Sequence, residues 1–293
     1  MKLALGINNF HWSAGPDHLG PTLAEIVQAA DASGFDRIGV PDHIWQSSYL
    51  GKREHEMLSC YTTLGFLAAH TSRVKLTAMV TATPYWHPVV LAKAVTTLDV
   101  LSGGRAWFGI GVGDYEEEAR SSGLPWPPLQ ERFERLEEII QICLRMWSGE
   151  HGDERPFEGK HYQVERPINA PQSLTRPHPP IMIAGNGEQK TLRLVARYAD
   201  ACNLRPGPEI ARKLDILRQH CEAEGRNDAE IEKTCMFGFD VGEDGSRVND
   251  LIGKLRWLAG MGIQTVFGIV PQVETIKSLE IIGREVIPAV ASL

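Results

Sequence analysis

Short apolar runs alternate with longer stretches of helical spacing along most of the chain. The apolar runs cover residues 2–8, 37–41, 74–81, 105–110, 181–184, 200–204, 233–241 and 264–270. Runs that are apolar throughout are typical of parallel strands whose two faces are both covered. Eight strands, each followed by helical material in 293 residues, predict an α/β fold, a (β/α)8 TIM barrel. A doubly wound open sheet is the alternative architecture.

The stretches between the strands have the apolar periodicity of amphipathic helices. The apolar positions of residues 23–33, 57–69, 88–101, 133–147, 187–198, 210–221, 248–259 and 273–286 recur every three or four residues. Residues 89–101 are apolar nearly all round, so the helix that they form after Pro88 is predicted to be buried. Residues 148–180, rich in glycine and proline, break the rhythm between strand four and strand five. They are predicted to form an insertion with one hairpin at 157–164, inside a single domain that covers residues 1–293.

Composition and charge exclude several classes of protein. The net charge of −7 argues against nucleic acid as the main partner. No apolar run approaches the ~20 residues of a membrane span, and the N-terminus has no cleavable signal pattern. The five cysteines form no CxxC pair, which predicts reduced, mostly buried thiols in the cytoplasm. Without HExxH or a Cys/His cluster, a bound metal is not expected.

The glycine-rich stretch after the fourth strand is the first candidate for a functional loop. Gly109, Gly111 and Gly113 alternate with apolar residues and lead into Asp114. Glycines at a strand end allow the backbone to approach a bound group closely. The spacing lacks the pattern of a dinucleotide-binding loop. A tight strand exit followed by solvated acids, including residues 116–118, is the alternative interpretation.

In a barrel, function lies at the C-terminal ends of the strands. Residues 8–11, 42–45, 79–83 and 111–114 are predicted to converge there. His43 titrates near neutral pH, and beside Asp42 it is a candidate proton donor or acceptor. Asp114 is the second candidate acid. The alternatives are a histidine that caps a loop and an aspartate that stabilises a turn.

A second glycine turn follows the fifth strand. Gly185, Asn186 and Gly187 come directly after it and before a predicted helix. Backbone N–H groups at a helix start suit a phosphate, although Glu188 would compete for the same positions. A turn capped by Asn186 is the alternative.

Several tryptophans fall in loops or at strand ends. Together they can line an apolar pocket for a flat ring, or separately they can fill the core. We assign the substrate pocket to Asn9, Trp12 and Trp45, which lie in the segments that follow the first two strands.

Taken together, these motifs resemble the luciferase-like family, and within it the branch that uses the deazaflavin coenzyme F420. The resemblance runs over nearly the whole chain, and flavin mononucleotide (FMN) enzymes of the same family share most of the motifs. The matching segments are ASGFD (32–36), VPDH (40–43), HPVVLAK (87–93), TLDVLSGGR (97–105), GIGVG (109–113), FEGKHY (157–162) and PIMIAGNG (180–187).

The resemblance implies a homodimeric (β/α)8 barrel with a flat cofactor at its C-terminal mouth. It also implies a non-prolyl cis peptide at Met79–Val80, under the cofactor ring. His43 would lie near the ring and Asp114 near its reactive edge. The implied cofactor contacts are Asp42, Met79, Val80, Thr81, Gly113, Ala184, Gly185, Asn186, Gly187 and Glu188.

The family's deazaflavin sugar-phosphate dehydrogenase has a glutamate at the position of Asp114 and a set of basic residues for the sugar phosphate. No such basic set is evident in this sequence, so a sugar phosphate is not the expected substrate.

The resulting hypothesis is an oxidoreductase that passes a hydride between reduced F420 and a small apolar or aromatic substrate. The cofactor performs the hydride chemistry and the protein supplies position and a proton, from His43 first and Asp114 second. One alternative is an FMN-dependent monooxygenase with a separate reductase. The other is a barrel that binds a flavin without catalysis.

Overall fold

Eight parallel strands close into a barrel in which the first strand pairs with the last, Lys2 opposite Thr265. The computed structural model describes residues 1–48 and 50–293. The third barrel strand is split into two pieces, and one antiparallel hairpin lies outside the barrel. The strands are β1 (Lys2–Gly6), β2 (Arg37–Val40), β3 (Lys75–Ala78), β4 (Thr81–Ala82), β5 (Ala106–Gly111), β6 (Phe157–Glu158), β7 (Gln163–Val164), β8 (Ile181–Ala184), β9 (Ala201–Leu204), β10 (Glu232–Gly238) and β11 (Thr265–Ile269).

Helices follow the barrel strands and cover the sheet from outside. Gly34, Gly103 and Gly225 end three of them in the left-handed conformation, which glycine adopts without steric cost. A π-helical turn, Ile282–Val286, joins the last two helices. The helices are α1 (Leu19–Ser33), α2 (Cys60–His70), α3 (Pro88–Ser102), α4 (Glu116–Ser121), α5 (Leu129–Met146), α6 (Thr191–Tyr198), α7 (Ile210–Glu224), α8 (Val248–Gly260), α9 (Lys277–Ile281) and α10 (Ile287–Val290).

The (β/α)8 barrel predicted from the alternation is confirmed, because pairing between β1 and β11 excludes the open sheet. The predicted hairpin is also present, as β6 and β7 between the fourth and fifth barrel strands. All five cysteines are free and buried, as expected. The prediction for α3 was wrong in part, since Val90 and Leu101 are 57% and 71% exposed. Among the described residues, no helix has both the length and the apolar character needed to cross a membrane.

The interior of the barrel is filled with side chains. Ala4, Met182, Ala201 and Phe267 form its buried apolar centre. At the N-terminal end, the fully buried Arg37 donates to Asp36 (2.8 Å) and Glu232 (2.8 Å), and its guanidinium lies 4.0 Å from the ring centroid of Trp107. The floor of the barrel is therefore packed, and open space remains at the C-terminal end.

A close approach between β3 and β5 shapes that open end. A Cβ atom at Gly109 would lie 2.0 Å from the carbonyl oxygen of Ala78, so only glycine fits at this position. The chain bulges between β3 and β4, and the Met79–Val80 peptide there is cis, as the resemblance implied. Gly109 thus serves the packing of two strands, whereas the sequence had suggested close approach to a ligand.

We expect Gly109→Ala to destabilise the protein by about 1–3 kcal/mol or more, because a methyl group here overpacks against backbone. The midpoint of urea unfolding measures the effect. Gly238→Ala in β10 is the matched control, because a Cβ there meets no atom within 4 Å. Equal unfolding midpoints for the two variants would contradict the assignment.

Candidate active site

A cavity of about 630 Å³ opens at the C-terminal end of the barrel. Its wall combines apolar side chains with a few polar groups from the ends of seven of the eight barrel strands. The lining residues are Asp42, His43, Met79, Val80, Thr81, Ala82, Gly111, Val112, Gly113, Asp114, Ala184, Gly185, Asn186, Asn203, Leu204, Arg205, Pro206, Met236, Phe237, Gly238 and Ile269.

Stretches that are far apart in sequence meet at this cavity. Both proposed acids, His43 and Asp114, lie on the wall. Eight of the ten proposed cofactor contacts lie there too: Asp42, Met79, Val80, Thr81, Gly113, Ala184, Gly185 and Asn186. These residues therefore meet at the C-terminal end of the barrel, where TIM barrels carry their active sites.

The three residues assigned to a substrate pocket do not line the cavity. Asn9 uses its side-chain oxygen to accept from the backbone N–H of His11, at 2.9 Å. Trp12 is buried in the core and packs against Phe10, with ring centroids 6.0 Å apart. Trp45 is partly buried, and its indole nitrogen has no hydrogen-bond partner among the described residues. None of these three side chains is therefore part of the cavity wall.

The other tryptophans also have roles away from the wall. Trp86 donates to Asp42 from behind the cavity at 2.8 Å, and Trp107 packs on Arg37 at the opposite end of the barrel. Trp126 supports the glycine loop from outside: a Cβ at Gly113 would lie 3.2 Å from its ring.

His43 is held by a buried carboxylate that the sequence had suggested was solvated. Its Nδ1 lies 3.0 Å from Oε2 of Glu118 in α4, and the Glu118 side chain is fully buried. The same Oε2 accepts from the hydroxyl of Tyr85 at 2.6 Å. Oε1 accepts from the backbone N–H groups of Ile44 (2.8 Å) and Trp45 (3.0 Å). The prediction that Glu118 belongs to a solvated helical turn was wrong.

These contacts determine the charge states of His43 and Glu118. Burial favours neutral groups, but the hydrogen bond and charge of Glu118, with the charges of Asp114 and Asp42, raise the pKa of His43 above its ordinary value. Burial alone would likewise raise the pKa of Glu118, but its bonds from His43, Tyr85 and Trp45 lower it. The pair is therefore stabilised as an imidazolium and a carboxylate.

Asp42 is the second buried carboxyl group at the site. Its Oδ2 accepts from the backbone N–H of Ala82 at 3.1 Å and from the indole of Trp86 at 2.8 Å. Burial nevertheless dominates and raises the pKa of Asp42. Asp114, in contrast, is exposed at the edge of the cavity. The two aspartates therefore differ in solvation, since Asp42 is buried and Asp114 is exposed.

The glycine turn after β8 is organised by a buried lysine from α7. Lys213, 8% exposed, donates to the carbonyl of Asn186 at 3.0 Å. Glu188 is drawn into ion pairs with Arg212 (2.7 Å) and Lys213 (3.7 Å). Two cations thus neutralise the carboxylate that seemed to compete with a phosphate. Neither Gly187 nor Glu188 lies on the cavity wall.

Two details of this turn differ from the sequence-based expectation. The helix starts at Thr191 rather than at Gly187. Asn186 does not cap it, because its side-chain oxygen accepts from the backbone N–H of Arg205 at 2.8 Å. The backbone N–H of Gly185 donates to the carbonyl oxygen of Asn203 at 3.1 Å. The turn is therefore braced against the segment that follows β9.

Sequence reasoning missed the residues that complete the site. Glu118 and Tyr85 have no distinguishing local motif, since one is the last of three glutamates and the other follows a proline. The wall residues after β9, β10 and β11 could have been predicted in the same way as His43, because they also follow the C-terminal ends of barrel strands. In the described residues, no group of three or more His, Cys, Asp or Glu side chains is placed to hold a metal ion.

Comparison with known proteins identifies similar sequences and folds. The family model described as luciferase-like monooxygenase matches residues 9–280. An F420-dependent glucose-6-phosphate dehydrogenase of Nakamurella multipartita is 32% identical over 76% of this chain and 65% of its own length. The corresponding protein of Kineococcus radiotolerans is 30% identical over 80% of this chain and 68% of its own.

The match to the first of these relatives covers slightly less than two thirds of that protein's length. Among solved structures, the monooxygenase RslO1 from Streptomyces bottropensis superposes with a TM-score of 0.79, over 98% of this chain and 99% of its own, at 18% identity. At that identity, the superposition shows a shared fold alone.

We expect His43 to make folding stability depend on pH. Because its pKa is raised in the folded state, the folded protein binds more protons, and the stabilisation is complete below the unfolded pKa and lost as pH rises through the folded pKa. Urea unfolding between about pH 6 and 9 should therefore show the stability difference between wild type and His43→Gln shrinking as pH rises.

His18→Gln is the control, because His18 is exposed and lies outside the cavity wall. Its pH profile should match that of wild type. A wild-type advantage over His43→Gln that grows with pH would contradict the assigned sign.

Proposed function

The chain belongs to the luciferase-like monooxygenase family, and on that basis we propose that it is an oxidoreductase that passes a hydride between coenzyme F420 and a small organic substrate. The observation that carries the proposal is the cavity itself. It combines an apolar wall, a glycine turn at one side and a proton carrier, His43. The names of the relatives support F420 over other cofactors.

The shape and chemistry of the cavity fit such a cofactor. Its volume of about 630 Å³ lies within the range of ligand sites, ~300–1,000 Å³. Side chains such as Met79, Val80 and Ile269 offer apolar contact to a flat ring. At the turn, a Cβ on Gly187 would come within 2.9 Å of the Thr191 hydroxyl, so glycine allows the turn to pack closely against the start of α6.

The residues that would hold the cofactor follow from this arrangement. Met79 and Val80 would lie against the ring, with Asp42, Thr81 and Gly113 beside it. In the turn, Ala184, Gly185 and Asn186 would hold the phosphate, with Gly187, Glu188 and the positive charge of Lys213 behind them. When bound, F420 supplies or accepts a hydride.

The protein's part in the reaction is proton handling. Hydride delivery to a C=O or C=C bond leaves negative charge on the substrate, which a nearby acid must neutralise. His43 holds a proton on the cavity wall and is our first choice for this acid. Asp114, exposed at the edge, is the second.

The residues of the cavity wall also limit the chemical class of the substrate. Most lining residues are either apolar or glycine, and Arg205 is the single arginine or lysine among them. A phosphorylated sugar would need more positive charge, so we propose a small apolar or aromatic substrate with a reducible or oxidisable carbon. A homodimer in the cytoplasm stays a prediction from the family resemblance.

Cofactor binding to the apo-protein tests this proposal. We expect F420, followed by its fluorescence, to bind more tightly than FMN. In turnover with a panel of ketones, enones and alcohols, His43→Gln should lower kcat by roughly 10²–10⁴-fold, the typical contribution of a general acid. Cofactor affinity should change little, because the substitution retains a polar side chain of similar reach.

Two outcomes would replace the proposal. Robust FMN binding without measurable F420 binding would identify an FMN-dependent monooxygenase instead. Tight F420 binding without turnover across the panel would favour a barrel that binds a flavin without catalysis. Full turnover by His43→Gln would keep the oxidoreductase but show that His43 is not its acid.

Lys213 provides a test of the phosphate position. Lys213→Met removes the donor to Asn186 and one partner of Glu188. We expect F420 affinity to fall about tenfold, equivalent to ~1.4 kcal/mol, while a deazaflavin without phosphate and tail is bound as before. Arg218→Met on the same helix, which loses a surface pair with Asp215, is the control. An equal loss for both ligands would place the phosphate elsewhere.

A further inference from the structure

We propose that Glu118 is a positioning residue that makes His43 exchange protons through Nε2 alone. This inference rests on the proposed function, in which His43 is the proton carrier. Glu118 is the last of three consecutive glutamates at the start of α4. Glu116 and Glu117 are exposed and pair with Arg120 and Arg53, whereas Glu118 is fully buried.

Both oxygens of Glu118 are fully engaged inside the protein. Two backbone N–H groups from the segment after β2 occupy Oε1, at 2.8 and 3.0 Å. Tyr85 and His43 occupy Oε2, at 2.6 and 3.0 Å. Glu118 is also absent from the cavity wall. It therefore has no contact to offer a substrate, and its effect on the reaction passes through His43.

A carboxylate at Nδ1 determines which nitrogen of His43 exchanges the proton. Neutral imidazole carries its proton on one nitrogen and accepts on the other. Since Oε2 of Glu118 is an acceptor, Nδ1 carries the proton in the neutral form as well as in the cation. Nε2 makes no hydrogen bond with any described residue, and His43 lines the cavity. Nε2 is thus the nitrogen available to a bound molecule.

The proton transfer then needs no rearrangement of the ring. In the cation, Nδ1–H donates to Glu118 and Nε2–H faces the reaction. The Nε2–H bond breaks, its electron pair stays on nitrogen, and the proton bonds to the substrate atom that has become negative. The product is the neutral tautomer that Glu118 already stabilises. In the reverse direction, the same Nε2 lone pair takes the proton back.

The three acidic groups that face His43 act in the same direction. Glu118 approaches from α4, Asp114 from the loop after β5, and Asp42 precedes His43 on its own segment, and each favours the cation. The ring of Tyr115 contacts His43 edge-on, with centroids 5.8 Å apart. No lysine or arginine shares the cavity wall with His43 except Arg205. Glu118 differs from the other acids because it alone bonds to the ring.

Glu118→Gln is the variant that separates positioning from packing, because the amide has the same shape. Its carbonyl oxygen can still accept from Ile44 and Trp45. Its NH₂ group then faces Nδ1 of His43, which must become an acceptor. We expect the ¹⁵N shifts of the His43 ring in the apo-protein to show the neutral proton moving from Nδ1 to Nε2. We also expect the pKa of His43 to fall.

Turnover gives the second measurement. In Glu118→Gln, kcat should fall roughly 10²-fold or more, in line with the loss caused by a wrong histidine tautomer in other enzymes. The pH profile should shift to lower pH, and F420 affinity should stay within about twofold. Glu117→Gln, next to it on the exposed side of α4, is the matched control and should behave as wild type in all three measurements.

Three results would distinguish the possible failures. If neutral His43 in the wild-type protein carries its proton on Nε2, Glu118 does not have the proposed role, and this holds even if Glu118→Gln does not fold. A folded Glu118→Gln protein with unchanged ring shifts and pKa overturns it as well. If instead the ring shifts reverse as expected while His43→Gln retains full turnover, Glu118 does position His43 but the proposed function of His43 is wrong.

Discussion

Burying the carboxylate of Glu118 without access to water requires hydrogen-bond donors on every side, and separate segments of the chain provide them. The segment after β2 contributes two backbone N–H groups and His43, and Tyr85 contributes its hydroxyl from the segment after β4. Leaving such a group unmatched costs several kcal/mol. The carboxylate therefore joins the ends of three neighbouring barrel strands, and the geometry of the mouth depends on it.

Most of the architecture could be predicted from the sequence because burial on both faces makes a parallel strand apolar throughout. That pattern located all eight barrel strands, and the rule for strand ends placed His43, Asp42 and Asp114 on one cavity. The third strand was predicted as one piece, although it is split at Met79–Val80. The split lies next to the close approach of Ala78 and Gly109 in β5, and a contact between two strands leaves no mark in the local pattern of either.

The side chains that escaped prediction depend on contacts over long distances in the sequence. Three adjacent glutamates look alike, and only the orientation of α4 against the segment after β2 buries the third. Glu188 seemed to oppose a phosphate, yet cations from α7 neutralise it. Trp12 was expected in a pocket because its position in a loop was known, while the packing that turns it into the core was not. The local sequence gives the residue type and the segment in which it lies. Whether the side chain is buried, neutralised or exposed depends on residues that are distant in the sequence.

The packed end of the barrel has a consequence for kinetics. Arg37, Trp107 and Glu232 pack across the floor, so the proposed cofactor and substrate would both enter the cavity from the rim. Two ligands that use one entrance cannot pass each other inside it. If both ligands use that entrance, the one that binds deeper has to arrive first and depart last, and turnover would then follow an ordered sequence of binding and release.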